Sequence, residues 1–307
     1  MKIVIPDDYQ DAVRALAAFD KLADHEVTIF NDTVTDLDTL AERFADAEAL
    51  VLIRERTSIG EELLARLPRL KLISQTGGGT AHIDLEACRR HGVTVMTGGG
   101  SPYAPAELTW ALVLATMRHL PQEVENLKAG RWQRTLGTGL RGRTLGIFGY
   151  GKIGRLVARY GQAFDMPILV WGRDSTRQRA HDAGHEVANS QRELFERADV
   201  LSLHLRLNEG THGIVGADDL ACMKPSAVLI NTSRAGLIAP GALEAALRAG
   251  RPGRAGIDVF DEEPLYQHPM LSLPNLVATP HLGYVERDSY ELYFGEAFDN
   301  LLAFAAG

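Results

Sequence analysis

Short runs of aliphatic and β-branched residues alternate along the chain with longer stretches in which apolar residues recur at helical spacing. Over the first hundred residues the runs fall at 2–6, 26–30, 49–53, 71–74 and 93–96, and their length and composition predict strands. Between them, residues 11–22, 37–44, 61–67 and 85–91 carry Ala, Leu, Arg and Glu in the helical pattern. Such an alternation implies a parallel sheet covered by helices. A longer helical run at 104–119 and a Gly- and Arg-rich link at 130–142 separate this block from a second one. Its strands are expected at 145–148, 168–171, 200–204, 227–231, 255–258 and 276–278, six in all, with helices near 153–164, 192–197 and 241–249. The amphipathic stretch 284–304 has no strand after it and is expected to return to the first block.

Length and composition narrow the class. A chain of 307 residues suggests two domains, each able to bury its own core. Apolar residues at 45% and charged residues at 23% are those of an ordinary globular protein. The net charge of −8 repels a phosphate backbone and argues against nucleic acid as a partner. The longest apolar stretches, such as 110–117, are far short of the ~20 residues a bilayer span needs, and the N-terminal residues lack a signal-peptide pattern. A cytoplasmic protein with no membrane partner is expected. Cys88 and Cys222 stand in no metal or disulfide spacing, so no metal site is indicated.

One glycine pattern carries a cofactor signal. The strand at 145–148 runs into Gly149-Tyr-Gly151-Lys152-Ile153-Gly154 and then a helix. In a G-x-G-x-x-G turn the first glycine makes the tight bend, the second lets backbone approach a pyrophosphate, and the third lets helix and strand pack closely. The free N–H groups of the helix start then face the anion. The acidic residue that binds the ribose of NAD at the end of the second strand is displaced here: Trp171 is followed by Gly172 and Arg173, and Asp174 comes only after them. With Arg173, Ser175, Thr176 and Arg177 nearby, a 2′-phosphate would meet donors. NADP is therefore the expected cofactor, with NAD the alternative if Asp174 still reaches the ribose.

Polar residues just past strand ends are the place to seek chemistry in such a sheet. Arg234 follows the strand at 227–231, Asp258 closes that at 255–258, Glu263 lies in the next turn, and His281 follows that at 276–278. Each alone could be structural. Together, an arginine to clamp a carboxylate, a histidine that titrates near neutrality and a carboxylate to keep it charged would suit reduction of a 2-oxo acid.

The motifs Gly149–Gly154, Asn231-Thr-Ser-Arg-Ala-Gly236, Gly256-Ile-Asp-Val-Phe-Asp-Glu-Glu-Pro264 and Thr279-Pro-His-Leu-Gly283 resemble those of the D-isomer-specific 2-hydroxyacid dehydrogenases, over nearly the whole chain. The resemblance implies an α/β fold of two Rossmann-like or flavodoxin-like domains with parallel sheets and the active site in the interdomain cleft. Residues 1–98 plus 282–307 would form the substrate domain and 99–281 the NAD(P)-binding domain, in a homodimer. Arg234 would clamp the substrate, His281 would be the acid/base, Glu263 would hold it protonated, and Asp258 would bind the nicotinamide carboxamide. The cofactor set becomes Gly149, Gly151, Lys152, Ile153, Gly154, Arg173, Asp174, Ser175, His204, Thr232 and Asp258. Substrate contacts are expected from Gly78 and Gly79 of the Gly77–Gly79 turn, which could equally be only a flexible turn, and from Arg54, whose alternative is an exposed ion pair with Glu55 or Glu61. Two positions depart from the family pattern: Ala235 replaces a glycine and Tyr284 stands where the family has Gly, so Tyr284 should narrow the site or shape the substrate choice. The rival to a small 2-oxo or 2-hydroxy acid dehydrogenase is a dinucleotide-sensing, corepressor-like protein on the same scaffold.

Overall fold

In the computed structural model, which describes all 307 residues, the most apolar runs become strands buried on both faces, as parallel sheets require. The first block holds β1 (Lys2–Ile5), β2 (Glu26–Ile29), α1 (Leu37–Phe44), β3 (Ala49–Leu52), α2 (Glu61–Leu64), β4 (Leu72–Gln75), α3 (Leu85–Arg90) and β5 (Thr94–Thr97). The strands pair in parallel in the order β2-β1-β3-β4-β5. Every residue of β3 and β4 is buried, and on one face Leu50, Leu52 and Ile73 pack with Phe44 of α1 and Leu63 and Leu64 of α2. Each such side chain removed from water stabilises the unit by about 1.5–3 kcal/mol. The helix expected over 11–22 is instead two 3₁₀ turns, Val13–Ala15 and Ala17–Leu22, interrupted by the extended Leu16. Asp8, itself buried, sets the first by accepting from the N–H groups of Ala12 and Val13 at 3.1 and 3.0 Å.

The second block opens with α4 (Tyr103–Met117) and α5 (Leu120–Lys128). It continues through β6 (Leu145–Phe148), α6 (Lys152–Ala163), β7 (Ile168–Trp171), α7 (Asp174–Asp182), β8 (Glu186–Val187), α8 (Gln191–Arg197), β9 (Val200–Leu203), α9 (Ala217–Cys222), β10 (Val228–Asn231), α10 (Ala242–Ala249), β11 (Arg254–Ile257) and β12 (Leu276–Ala278). Its parallel sheet runs β12-β11-β10-β9-β6-β7-β8. It has seven strands where six were expected, because β8 is a two-residue edge too short to read as a periodic run. Alternate residues feed two cores: Leu145, Ile147, Val200, Val228 and Ile230 on one face, and Phe148, Leu201, Leu203 and Leu229 on the other. Strand order reverses between β6 and β9, the point in an open α/β sheet beyond whose carboxyl edge ligands bind.

The last helix, α11 (Arg287–Ala305), belongs to the first block. Its buried Phe294 and Phe298 pack on each other with ring centres 5.7 Å apart, Phe298 meets Phe19 edge-to-face, and Ala297 accepts a hydrogen bond from Ser74 Oγ on β4 at 2.9 Å. Glu291 accepts from the N–H groups of Ala17 and Ala18 at 2.8 and 3.0 Å, capping the second 3₁₀ turn. The chain thus divides into two compact units, residues 1–101 with 285–307 and residues 102–284. Both boundaries fall three residues beyond the expected 98 and 281. No helix is long and apolar enough to cross a membrane.

Candidate active site

The glycine turn sits at the switch point of the second unit. Gly149 has φ +97, and a Cβ there would lie 2.5 Å from the carbonyl oxygen of His204 at the end of β9. Only glycine satisfies both constraints. A Cβ on Gly154 would lie 2.3 Å from the Gly149 carbonyl oxygen, so α6 packs directly on the turn. Gly151 caps α6 without a side-chain bond, and its Cβ position meets no protein atom. The first helical residues, Lys152 and Ile153, therefore carry amide N–H groups with no partner inside the helix. The donors, the dipole end and the cleared space together fit a pyrophosphate. His204 is held neutral, burial pushing its pKa down to about 3, while its Nε2 meets Ser202 Oγ at 2.9 Å and its Nδ1 is buried without a partner.

At the end of β7, Arg173 is the extended N-cap of α7 and Asp174 its first residue. The exposed Asp174 carboxylate pairs with Arg177, whose guanidinium lies 4.7 Å from the Trp171 ring centre. Arg173 and Ser175 are exposed. Thr176 is buried, and its hydroxyl oxygen accepts from Arg179. A Cβ on Gly172 would come within 2.8 Å of Thr176 Cγ2.

Past β10, β11 and β12 the chain brings four candidates together. Asn231 shapes the turn that carries Arg234: its Nδ2 donates to the Arg234 carbonyl at 3.0 Å and its Oδ1 accepts from Ser233 N–H at 3.1 Å. Arg234 Nη1 donates to the Ser233 carbonyl at 2.7 Å. Thr232 Oγ1 lies 2.6 Å from Thr109 Oγ1. Because Thr109 donates its own proton to the Pro105 carbonyl, Thr232 is the donor of that pair. His281 Nδ1 meets Glu263 Oε2 at 2.5 Å, with about a quarter of the His281 side chain and a third of the Glu263 side chain exposed. Glu263 Oε1 accepts from Phe260 N–H at 2.9 Å. Burial works to raise the Glu263 pKa, but the His281 bond and charge, the Phe260 N–H and the Arg234 charge outweigh it and hold the carboxyl below its ordinary value. His281 itself has φ +53, a conformation that residues with a Cβ adopt rarely and that clusters at functional sites.

Asp258 explains how that conformation is held. The residue is fully buried; Oδ1 accepts from Thr279 Oγ1 at 2.6 Å and from Leu282 N–H at 2.7 Å, and Oδ2 accepts from Gly283 N–H at 2.8 Å. The carboxylate expected to meet a carboxamide thus also binds the His281 loop on both sides of the histidine. Burial raises its pKa, opposed by those three donors. Tyr284 is buried, with its ring edge-to-face against His281 at 5.4 Å between centres. A cavity of about 370 Å³ beside the Glu263 loop, lined by Leu243, Glu244, Phe260, Glu262 and Met270 among others, contains none of these candidates.

The remaining candidates lie in the first unit. Arg54 has φ +55, and its N–H donates to Thr76 Oγ1 at 2.9 Å. In the turn after β4, Gly78 is exposed and a Cβ on Gly79 would stand 2.6 Å from Glu55 Oε1. Gln75 and Thr76, which touch Arg54, were not singled out from the sequence; the available signal was two polar residues closing a buried strand.

A glycine turn at the switch point of a parallel sheet, with an acid–base pair and an arginine beyond the neighbouring strands, defines an α/β dinucleotide-binding protein. The family model described as D-isomer specific 2-hydroxyacid dehydrogenase, NAD binding domain, matches residues 110–283. The chain is 38% identical to a glyoxylate reductase of Aeropyrum pernix over 88% of its own length and 83% of that protein. It is 36% identical to a D-3-phosphoglycerate dehydrogenase of Methanocaldococcus jannaschii over 92% of its length, but spans only 53% of that longer protein. A crystal structure described as phosphoglycerate oxidoreductase from Vibrio cholerae O395 shares 55% identity, covers 100% of this chain and 99% of its own, and superposes with a TM-score of 0.97. The chain belongs to the D-isomer specific 2-hydroxyacid dehydrogenase family.

Proposed function

We propose that the chain reduces a small 2-oxo acid to the D-2-hydroxy acid, with NADPH preferred to NADH. The His281–Glu263 pair beside Arg234 carries the reading, because a carbonyl reduction needs a proton donor kept charged and a cation to orient the adjacent carboxylate. When bound, a nicotinamide dinucleotide supplies the hydride to the carbonyl carbon. His281 Nε2, the ring nitrogen not facing Glu263, gives its proton to the carbonyl oxygen, and Glu263 stabilises the charged ring beforehand. Arg234 holds the substrate carboxylate, and Tyr284 limits the group that can sit beside the ring. Lys152 and Ile153 would offer backbone donors to the cofactor's pyrophosphate, and Asp258 and Thr232 would hold its nicotinamide end.

The NADPH preference rests on three observations: Gly172 stands where an acid would repel a 2′-phosphate, Asp174 has its charge offset by Arg177, and Arg173 makes no ion pair. A homodimer fits the second unit's surface. There Leu120, Val124 and Leu127 form an exposed stripe on α5, followed by Trp132 and Leu136 at 73% and 93% exposure. Large apolar side chains exposed this densely within residues 120–136 mark an interface, and a second copy is the occupant that symmetry favours. The deciding experiment assays glyoxylate, pyruvate and larger 2-oxo acids with NADPH and NADH in parallel, with His281→Ala as control. Turnover lost in the variant supports the reading; tight dinucleotide binding with no turnover of any acid overturns it in favour of a sensor. Light scattering on wild type and Leu136→Glu tests the dimer.

A further inference from the structure

We propose that His119 and Arg254 form a pH-sensitive latch on α5: protonation of His119 releases the helix, and with it the association of two copies of the chain. The proposal rests on the reading of the exposed residues of 120–136 as a homodimer surface.

The one residue that α5 buries is Asn126. Its apolar residues Leu120, Val124 and Leu127 are about half exposed, so hydrophobic burial does not fix where the helix lies. Polar contacts do so instead. Asn126 Oδ1 accepts from Arg131 Nε at 2.9 Å, its Nδ2 donates to Glu123 Oε1 at 3.0 Å, and Glu123 Oε2 accepts from Arg134 N–H at 3.2 Å. These bonds join α5 to the link that follows it. The link is held to α4 by Thr138 N–H, which donates to the Met117 carbonyl at 2.8 Å. A single side chain bonds α5 or its cap to the sheet: His119, whose Nε2 meets Arg254 Nη1 at the start of β11 at 2.6 Å.

His119 is also the bend between α4 and α5. Its φ of +53 and ψ of +34 are left-handed, a conformation that a residue with a Cβ keeps when its surroundings hold it. The partner settles the state of the ring. A guanidinium has donors and no acceptor, so Nε2 is the acceptor and the ring is neutral with its proton on Nδ1. A protonated ring has donors on both nitrogens and would turn an N–H and a like charge on Arg254. The contact and the charged ring therefore exclude each other.

Arg254 makes no ion pair, and its other contact is the Thr116 carbonyl at 3.4 Å from Nη1. From α5, Glu123 faces the ring, but its carboxylate is already bonded to Asn126 and Arg134. Arg118, at the end of α4, lies against Gly137 of the link, and β12, which also packs on α4, carries no charge. Burial lowers the His119 pKa, the Arg254 charge lowers it further, and the Glu123 charge opposes both. The latch thus holds above the ordinary histidine value, near 6.5, and is lost as pH falls through the lower value of the folded chain. No other histidine lies between residues 102 and 142, so His119 is the one side chain there whose ordinary pKa falls between pH 5 and 8. An apolar residue in its place would anchor the helix at every pH. A half-buried histidine bound to an unpaired cation anchors it only while neutral. Once the latch opens, Leu120, Val124 and Leu127 no longer keep one position relative to Trp132 and Leu136, and the surface that two copies share is lost.

The test measures the dimer dissociation constant by sedimentation equilibrium at pH 7.5 and 5.5, with amide hydrogen exchange of residues 120–128 at both. Wild type, His119→Gln, His119→Leu and Arg254→Met are compared, with circular dichroism to show that the rest of the chain stays folded. Wild type should dissociate about tenfold more readily at pH 5.5, the effect of one lost charge-assisted hydrogen bond, and α5 should exchange faster there. His119→Gln, whose Oε1 can accept from Arg254 but cannot titrate, should hold the dimer equally at both pH values. His119→Leu and Arg254→Met, which break the contact, should behave at pH 7.5 as wild type does at 5.5. A wild-type dimer indifferent to pH overturns the proposal, and so does an equal weakening of wild type and His119→Gln, which would place the titration elsewhere. If wild type is a monomer at both pH values, or if Leu136→Glu leaves the dimer intact, the dimer reading fails instead, and exchange of 120–128 still shows whether the latch opens. Should His119→Gln not fold, Arg254→Met decides: a dimer as tight as wild type at pH 7.5 sinks the proposal.

Discussion

Replacing Asp258 by Asn removes one oxygen acceptor from beneath the His281 loop while leaving shape and volume nearly unchanged. The three donors of that loop are fixed: Thr279 Oγ1 and Leu282 N–H on one oxygen, Gly283 N–H on the other. In the better of the two amide orientations Nδ2 faces Gly283 N–H, so one bond is lost and two buried donors confront each other. An unsatisfied buried polar group costs about 1–3 kcal/mol, and the lost bond was charge-assisted. Against this, a neutral amide is easier to bury than a carboxylate, the same burial that raises the Asp258 pKa. The balance is a destabilisation of about 2–4 kcal/mol, which for a unit of this size lowers Tm by roughly 4–16 °C. Differential scanning calorimetry reads it directly. Because His281 holds φ +53 between the two anchored amides, kcat should fall more than KM rises when the loop loosens. A variant with wild-type Tm and kcat would refute the argument that Asp258 holds the histidine.

Glu263→Gln should lower kcat, since the carboxylate that meets His281 Nδ1 is replaced by an amide; unchanged turnover would break the pairing. The lowered Glu263 pKa also means that its share of stability is present above the ordinary Glu value, near 4.3, and is lost as pH falls through the folded value. The variant should therefore show a flatter acid limb in urea unfolding below about pH 4. Arg234→Lys should lose at least tenfold in kcat/KM for a 2-oxo acid, because an ammonium cannot reproduce the two-pronged contact; steady-state kinetics check this. Arg173→Ala should reduce the NADPH to NADH ratio of kcat/KM by about tenfold. It is a cleaner probe than Gly172→Asp, whose Cβ would collide with Thr176.

What could be read beforehand followed from local pattern. The strands β3, β9 and β10 are buried on both faces and so appear as unbroken apolar runs. By contrast α7, Asp-Ser-Thr-Arg-Gln-Arg-Ala-His-Asp, has almost no apolar stripe to detect, and α9 spans only six residues. The glycine turn was legible because each glycine answers to a neighbour a few residues away, or to the adjoining strand end. The Asp258 anchors lie 21–25 residues off, and the Gln75 bond to Arg54 spans 21. Such bonds depend on which strands become neighbours, and spacing alone does not encode that.

The first unit is assembled from two ends of the described chain, and this orders its birth on the ribosome. When residue 101 has been made, β4 and β5 exist but the helix that covers them, α11, is still almost two hundred residues from synthesis. The Ser74 hydroxyl waits for Ala297, and the turn at 17–22 waits for its cap, Glu291. The second unit is continuous, so it can close while the first remains a sheet with one bare face. Truncation within α11 would therefore strike a region remote in sequence, exposing the apolar side of β4 and leaving a chain that binds dinucleotide yet clumps.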